Sequence, residues 1–304
     1  MQTVDIYLYE ANIGMSRNSK AGIALRSTVF SPKEMKEVAA LCEKVKQPQY
    51  IFVPDVSSSL DAIELSVGIL ESSKTLKAGP GVIRLLEHDI TNLARRIVMI
   101  QKMTMRRFFL GVGVGRPGSD AREAIKELFR RLKSLEEYSK EEKPEVFVAA
   151  LKQGLAKKGA KNGYIPLLNF CSSEYAGEVV KEIGKVAKVD VACYIKVFYS
   201  EQQERAEANL IKEFVTYNMI PQYHDLFRMQ LVDRDIEAAK EMNELPSSLL
   251  RICLANPSSK QLMQFVKEMR DAGVSIPVIY PYFDQKDKVQ FRTSIIKDIL
   301  SSLS

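Results

Sequence analysis

The chain has few of the residues from which metal sites and acid–base catalysts are most often built. Its 304 residues include two histidines, four cysteines and no tryptophan. Cys42, Cys171, Cys193 and Cys253 stand far apart and form no C-x-x-C pair. Because zinc sites use closely spaced Cys and His ligands, we expect no metal site. We interpret the cysteines as buried thiols in a reduced compartment.

The chain also lacks long apolar runs and segments that carry charge of only one sign. No segment approaches the roughly 18 consecutive apolar residues that span a bilayer. The first five residues lack the basic and apolar regions of a secretory signal. The formal net charge is +6, but basic residues alternate with acidic ones throughout, which is not typical of nucleic-acid binding. We therefore expect a cytoplasmic protein with a small-molecule substrate, no nucleic-acid partner and no membrane partner.

What the sequence does contain is an alternation of strand and helix patterns. Short apolar runs alternate about eight times with helical patterns, which is typical of βα units around a parallel sheet. The predicted strands are residues 4–8, 50–54, 75–82, 107–112, 145–150, 164–169, 191–198 and 276–282. Eight such units predict an α/β fold, a (β/α)8 TIM barrel forming one domain over residues 1–304. A helical excursion at residues 201–246 is predicted at the barrel mouth, between strands 7 and 8.

Two helix ends are marked by local signals. Ser31 followed by Pro32 predicts a helix start, because serine caps the first turn and proline fits it. Gly273 predicts a helix end in the left-handed conformation.

The fourth predicted strand ends in an unusual glycine pattern. The sequence from Arg106 reads R-R-F-F-L-G-V-G-V-G and places Gly111, Gly113 and Gly115 at its end. Glycine weakens a strand and packs nothing, so this repetition suggests that a flat ligand or another backbone passes too closely for a Cβ. A bulge or bend in the barrel is the alternative.

In a βα barrel, the residues that follow the strands share one mouth, which gives a short set of candidates. These are Glu10, Asn12, Asp55, Gly81, Val82, Gly111 to Arg116, Lys152, Asn169, Cys171, Ser172, Tyr199, Ser200, Tyr282 and Asp284. No convincing pair of nucleophile and base is present among them, and no histidine stands at a strand end. The set suits a reaction that a bound cofactor carries out.

The charged candidates can each be interpreted in two ways, as functional or as structural residues. Asp55 is an acid, base or polar anchor, or it only caps the following loop. Arg116 and Lys152 hold a phosphate-bearing ligand tail, or they are solvated loop charges. His88 and His224 are more simply local or surface residues than catalysts.

The glycine block and the strands around it resemble a known family, the bacterial luciferase-like flavin and deazaflavin oxidoreductases, which include methylenetetrahydromethanopterin reductase. Residues 106–115 resemble the family's G-R-F-x-L-G-x-G-x-G block, and residues 145–151 resemble its fifth strand. Residues 271–279 resemble its closing helix and eighth strand, and residues 77–84 resemble a bulge that backs the flavin ring. In deazaflavin members this bulge contains a non-prolyl cis peptide, which implies a cis bond between Gly81 and Val82.

The chain also departs from that pattern. Members with an acid–base histidine carry it directly after the aspartate of the second strand, whereas Asp55 is followed here by Val56. Residues 87–89 read Glu-His-Asp where a basic residue, a polar residue and proline are common. Residues 116–119 read Arg-Pro-Gly-Ser in place of an acidic or aromatic loop.

The resemblance implies a deazaflavin-dependent oxidoreductase that transfers a hydride between reduced coenzyme F-420 and a small carbon or imine acceptor. The expected catalytic residue is Asp55. The expected cofactor-binding residues are Gly81, Val82, Gly111, Gly113, Gly115, Arg116, Ala150, Lys152 and Asn169. A homodimer is also implied.

Three alternatives remain at this point. One is an FMN-dependent luciferase-like monooxygenase, and the second is a non-catalytic flavin-binding barrel. The third is a barrel without flavin, with side chains filling the mouth and a trans bond between Gly81 and Val82.

Overall fold

The computed structural model describes residues 20–56, 60–115, 120–242, 244–284 and 286–303, which fold into parallel strands surrounded by helices. The strands are β1 (Gly22–Ala24), β2 (Tyr50–Val53), β3 (Lys77–Pro80), β4 (Ile83–Arg84), β5 (Phe109–Gly113), β6 (Glu145–Ala149), β7 (Ile165–Leu168), β8 (Ala192–Tyr199), β9 (Cys253–Ala255) and β10 (Ile276–Phe283). The helices are α1 (Pro32–Val45), α2 (Ala62–Glu71), α3 (Ile90–Met103), α4 (Ala121–Ser139), α5 (Gln153–Lys161), α6 (Ser173–Gly184), α7 (Gln203–Asn218), α8 (Pro221–Met229), α9 (Asp233–Met242), α10 (Ser259–Asp271) and α11 (Val289–Leu303). Short 3₁₀ turns lie at Leu85–Glu87, Lys140–Glu142 and Leu249–Arg251.

The strands form a nearly closed parallel barrel, which confirms the predicted TIM-barrel fold. Their order around the sheet is β3, β2, β1, β10, β8, β7, β6, β5, β4. β3 pairs with β2 and β4 pairs with β5, so the two segments together fill one barrel position. A bridge between Ala78 and Phe108 brings β3 beside β5 and completes the ring. Eight positions result, with β9 outside the ring.

The first predicted strand, residues 4–8, lies outside the described residues. Within the described part of the chain, β1 occupies the position between β2 and β10. β1 has only three residues and begins with a glycine, so it gave no recognisable strand pattern.

Aromatic side chains fill the inside of the barrel. Phe52, Phe109 and Phe147 pack against one another with ring centroids 4.6 to 5.1 Å apart. Below them, Lys77 forms an ion pair with Glu145 at 3.2 Å. The closed end is therefore packed, and a ligand can enter only from the ends of the strands that carry the mouth.

A second apolar layer lies between the sheet and the helices. The helix ends follow the predicted signals. Ser31 and Glu34 form a reciprocal capping box ahead of Pro32 at the start of α1. Gly273, after α10, has φ +92°, which confirms the left-handed helix end.

The predicted excursion at 201–246 contains α7, α8 and α9, and it returns to the sheet through β9. β7 pairs with the beginning of β8, at Ala192 and Cys193. β9 pairs with the later part of the same strand, from Lys196 to Phe198. The excursion therefore begins at the end of β8 and comes back to the side of β8.

Candidate functional site

The break between β3 and β4 lies on the mouth side of the aromatic packing. The peptide bond between Gly81 and Val82 is cis, as the resemblance predicts, and the trans bond expected of a barrel without flavin is not observed. The buried Tyr194 hydroxyl donates a hydrogen bond of 2.8 Å to the Gly81 carbonyl oxygen. A Cβ on Gly81 would lie 2.2 Å from that hydroxyl. Gly81 is therefore required by the packing of the barrel itself.

The glycines of β5 have different neighbours. A Cβ on Gly111 would lie 2.1 Å from the Pro80 carbonyl oxygen, so Gly111 allows two strands to approach closely. At Gly113 the nearest atoms are a Val82 methyl at 3.1 Å and the Ala149 Cβ at 3.6 Å. Gly115 has φ +77° and packs against the Arg84 side chain. Of the three, only Gly113 has its missing side chain among inward-facing groups of the mouth.

Val82, Gly113 and Ala149 together form a small apolar surface, which we call the floor. Val82 packs on the aromatic cluster inside the barrel. Val82 and Ala149 are half-buried, although they lie on the inner face of the strands. Gly113 between them is buried. The described residues therefore leave the Val82 and Ala149 side chains of the floor partly open to solvent, and a flat apolar group can lie against them.

Asn169 stands beside this floor at the end of β7. Its side-chain nitrogen donates a hydrogen bond of 3.3 Å to the hydroxyl of Tyr223 on α8. Its Oδ1 is buried and has no hydrogen-bond partner among the described residues. A buried amide oxygen without a donor is unusual, and it marks a place where a ligand N–H group would fit.

Lys152 and Ala150 follow β6 and differ in what they contact. Lys152 forms an ion pair of 2.6 Å with Asp225 on α8. This hydrogen bond and the positive charge of Lys152 hold the pKa of Asp225 below its ordinary value. The Ala150 side chain lies in the apolar layer under the helices, and its N–H donates to the Leu167 carbonyl oxygen at 2.9 Å.

Asp55 faces a cation. Its carboxylate lies 3.7 Å from the Arg84 guanidinium, which also lies 3.5 Å from Glu87. The side chain of Asp55 is 23% exposed, so it remains accessible from the mouth. The candidates that lie outside the described residues are Glu10, Asn12 and Arg116.

The remaining candidates are mainly structural. Ser172 caps α6 by accepting a hydrogen bond from Tyr175 N–H at 3.3 Å. The Ser200 hydroxyl donates to the buried Asp287 at 3.0 Å. Asp284 accepts hydrogen bonds from Asn209 and from the Lys286 N–H. His224 contacts the Asn218 side chain at 3.0 Å, and the His88 carbonyl accepts from Arg131 at 2.9 Å.

All four cysteines are buried, as predicted, and none forms a disulfide. Burial raises the pKa of the Cys42 thiol to about 12. The described residues contain no group of three His, Cys, Asp or Glu side chains that could hold a metal ion. None of the helices that the structure describes is long and apolar enough to cross a membrane.

The sequence interpretation missed a group of charged and aromatic side chains on the far side of the mouth, which we call the wall. It is formed by Arg26, Lys196, Glu213, Tyr280 and Tyr282, of which the sequence interpretation named only Tyr282 as a candidate. Lys196 is 1% exposed, and its ammonium lies 2.9 Å from Glu213 and over the rings of Tyr280 and Tyr282. One signal could have located it, because Lys196 is the only charge in the apolar run of β8.

The charge states of the wall follow from this packing. Burial would lower the pKa of Lys196, but the Glu213 carboxylate outweighs that effect, and the pKa is raised. Burial would raise the pKa of Glu213, but the charge and hydrogen bond of Lys196 hold it below the ordinary value. Both groups are therefore ionised at neutral pH.

Comparison with solved structures identifies the fold. No protein-family model matches the sequence, and no curated protein matches it significantly. An F-420-dependent secondary alcohol dehydrogenase in complex with an F-420–acetone adduct matches with a TM-score of 0.71 and 12% identity, over 94% of this chain and 99% of that one. A coenzyme F-420-dependent tetrahydromethanopterin reductase from Methanopyrus kandleri matches with a TM-score of 0.66 and 12% identity, over 93% and 96%.

A third match has a different cofactor. It is the oxygenating constituent of 3,6-diketocamphane monooxygenase from Pseudomonas putida, a type II Baeyer–Villiger monooxygenase in complex with FMN. The TM-score is 0.65 and the identity 12%, over 94% of this chain and 97% of that one. The chain therefore shares its fold with these F-420-dependent and FMN-dependent enzymes.

Proposed function

We propose that this protein is an oxidoreductase that binds coenzyme F-420 at the barrel mouth and transfers a hydride between it and a small carbon or imine acceptor. The observation that carries the proposal is the open floor of Val82, Gly113 and Ala149. It offers an apolar surface with partly exposed side chains on the mouth side of the buried cluster around Phe52, Phe109 and Phe147.

The residues around the floor fit a ring system with a polar edge and a charged tail. The unpartnered Oδ1 of Asn169 would accept a hydrogen bond from a ring N–H group. Lys152, and with it Arg116, would hold an acidic tail. Gly81, Gly111 and Gly115 act through the backbone, because they let the strands and Arg84 pack closely behind the floor. Ala150 would contribute through its backbone at most.

When bound, the cofactor supplies the hydride chemistry, and the protein supplies position and electrostatics. The floor would hold one face of the ring and exclude water from it. Asp55 orients a polar group of the substrate or accepts a proton from it, and Arg84 keeps its carboxylate in place. Val56 follows Asp55 where a histidine stands in some similar proteins, so no histidine base is adjacent to Asp55 in the sequence.

The test is a parallel titration of the purified protein with oxidised F-420 and with FMN, followed by absorbance and fluorescence. We expect F-420 to bind with micromolar affinity and FMN to bind at least roughly tenfold more weakly. The reverse preference would favour an FMN-dependent monooxygenase. Failure of both ligands to bind would disprove the proposal.

Gly113→Val is the matched variant for this titration. The new side chain would stand on the floor and exclude the ring, while its nearest contact is a movable Val82 methyl at 3.1 Å. Gly184→Val is the control, because no atom lies within 4 Å of a Cβ there. Unchanged F-420 affinity in Gly113→Val would remove the floor from the argument, and circular dichroism should show both variants folded.

A non-catalytic flavin-binding barrel is the second candidate, favoured by the pairing of Asp55 with Arg84 and by Val56. It predicts tight binding of the cofactor without turnover. Reduced F-420 should then persist when pterin, ketone and imine acceptors are added. Oxidation of the bound cofactor by any of them would contradict this candidate.

We also propose that the protein is a cytoplasmic homodimer. Static light scattering after size exclusion tests the assembly, and a mass near 34.3 kDa would contradict it, because that is the mass of one chain.

A further inference from the structure

Arg26 lies two residues after β1, at the mouth end of that strand. Ala24 packs inside the barrel, and Arg26 lies two residues further along the chain. Because side chains alternate along a strand, the Arg26 side chain also points inward. Its Nε is buried and has no hydrogen-bond partner among the described residues. Arginine carries five donors in a planar fork, and a buried donor without a partner is costly.

The charges around Arg26 do not balance. Glu213 is the acidic side chain in this group, and its Oε1 is taken by the Lys196 ammonium at 2.9 Å. Asp284, which follows β10, is engaged by Asn209 and by the Lys286 N–H. Among the described residues, two cations and one carboxylate give the wall one net positive charge. A single negative charge from outside would complete it.

The surface beside Arg26 is aromatic. The guanidinium carbon lies 5.7 Å from the centroid of the Tyr282 ring. Tyr282 stacks on Phe198, with centroids 4.6 Å apart and planes 23° apart, and it contacts Tyr280 at 4.6 Å. Tyr282 is half-buried, so part of its ring faces the mouth. A planar group next to the anion would therefore contact a ring surface.

The wall also lies opposite the floor. β1 and β10 are each four positions away from a floor strand in the eight-membered ring, β1 from β6 and β10 from β5. A molecule held by Arg26 and Tyr282 would face a ring that lies on Val82, Gly113 and Ala149.

We propose that Arg26 binds the carboxylate of the acceptor, and that the substrate is a planar, unsaturated or aromatic, monoanionic carboxylic acid. The assignment of this ligand as the substrate rests on the proposed function, whereas the anion site itself does not. A carboxylate matches the guanidinium fork in two parallel hydrogen bonds. One net positive charge matches a monoanion better than a phosphate dianion.

The experiment measures binding of benzoate by ligand-observed NMR, with benzamide as the neutral analogue and phenyl phosphate as the dianion. We expect benzoate to bind the wild-type protein, benzamide to bind at least roughly tenfold more weakly, and phenyl phosphate to bind no better than benzoate. Arg26→Gln should weaken benzoate at least roughly tenfold, and Arg26→Lys, which keeps the charge, should weaken it less. Arg130→Gln is the control, because it removes an exposed arginine on the outer helix α4.

Several results would overturn the proposal. They are no benzoate binding to the wild type, equal binding of benzamide, tighter binding of phenyl phosphate, or unchanged benzoate affinity in a folded Arg26→Gln. Arg26→Lys provides a second folded variant if Arg26→Gln does not fold. If the protein binds F-420 but not benzoate, only this inference is removed. If it binds benzoate through Arg26 but does not bind F-420, only the proposed function is removed.

Discussion

The ammonium of Lys196 on β8 lies 2.9 Å from the carboxylate of Glu213 on α7, in a site where the lysine side chain is 1% exposed. The ammonium also lies 3.7 Å from the centroid of the Phe170 ring and 4.5 Å from that of Tyr217. The pair thus joins the barrel to the first helix of the excursion through a charge that water does not reach. A buried charge is tolerated only while its partner is present.

Removing one member of this pair should destabilise the protein strongly. Lys196→Met leaves Glu213 largely buried without its closest cation, at an expected cost of about 3 kcal/mol in the free energy of unfolding. The double variant Lys196→Met with Glu213→Leu should recover most of that loss, because no buried charge remains uncompensated. Urea unfolding of the wild type, both single variants and the double variant measures the coupling. Additive losses would show that the two side chains do not interact.

The same pair should make stability depend on acid. The pKa of Glu213 is lowered from 4.5 in the folded protein, so its contribution is present above that value and is lost as the pH falls through the folded pKa. The pKa of Lys196 is raised, so its contribution is retained below 10.5. The difference in unfolding free energy between wild type and Glu213→Gln should therefore be constant from neutral pH down to about pH 5 and shrink below it. A difference that stays constant in acid would contradict the ionised state of Glu213.

Gly79 should tolerate substitution far less well than Gly184. A Cβ on Gly79 would lie 1.9 Å from the Phe109 carbonyl oxygen, a backbone atom that cannot turn away. Gly79→Ala should cost about 3 kcal/mol or more, because β3 and β5 would have to separate where the barrel closes. Gly184→Ala meets no atom within 4 Å and should change stability by less than about 1 kcal/mol. Thermal unfolding of both variants measures this difference. Equal melting temperatures would contradict the close approach of β3 and β5 at Gly79.

Lys152 and Asp225 allow ligand binding to be separated from stability. Their ion pair is exposed, so Lys152→Met and Asp225→Asn should each change the unfolding free energy by less than about 1 kcal/mol. If Lys152 binds an acidic cofactor tail, Lys152→Met should weaken F-420 several-fold, whereas Asp225→Asn frees the lysine and should keep or improve affinity. If both variants changed the F-420 affinity equally, Lys152 would contribute only by holding α8 in place through Asp225, and not by contacting the cofactor.

Much of the barrel could be predicted because its strands are short apolar runs bounded by turns. The predicted segments at 50–54, 145–150, 164–169 and 276–282 each differ from the observed strands by no more than one residue at either end. Periodicity and glycine placement are local signals, so one sequence carries them. The cis bond at Gly81 came from the family resemblance, since no local pattern marks it.

The parts that were missed depend on contacts between distant residues. β9 has three residues and exists because it pairs with β8 more than 50 positions away. The wall combines Arg26, Glu213 and Tyr282, which no spacing rule connects. The role of Gly111 could not be separated from that of Gly113 in the sequence, because the difference lies in which atoms of β3 and β6 stand opposite each glycine.

The return of the excursion to β8 restricts how the mouth can open. α7 begins just after β8 ends, and β9 comes back as a hydrogen-bonded neighbour of the same strand. A segment that is attached to the same strand at both ends cannot rotate away from the mouth about a single hinge. Its helices can tilt only as a block about β8. Ligands should therefore enter the barrel from the side of the mouth that faces away from α7 and α8.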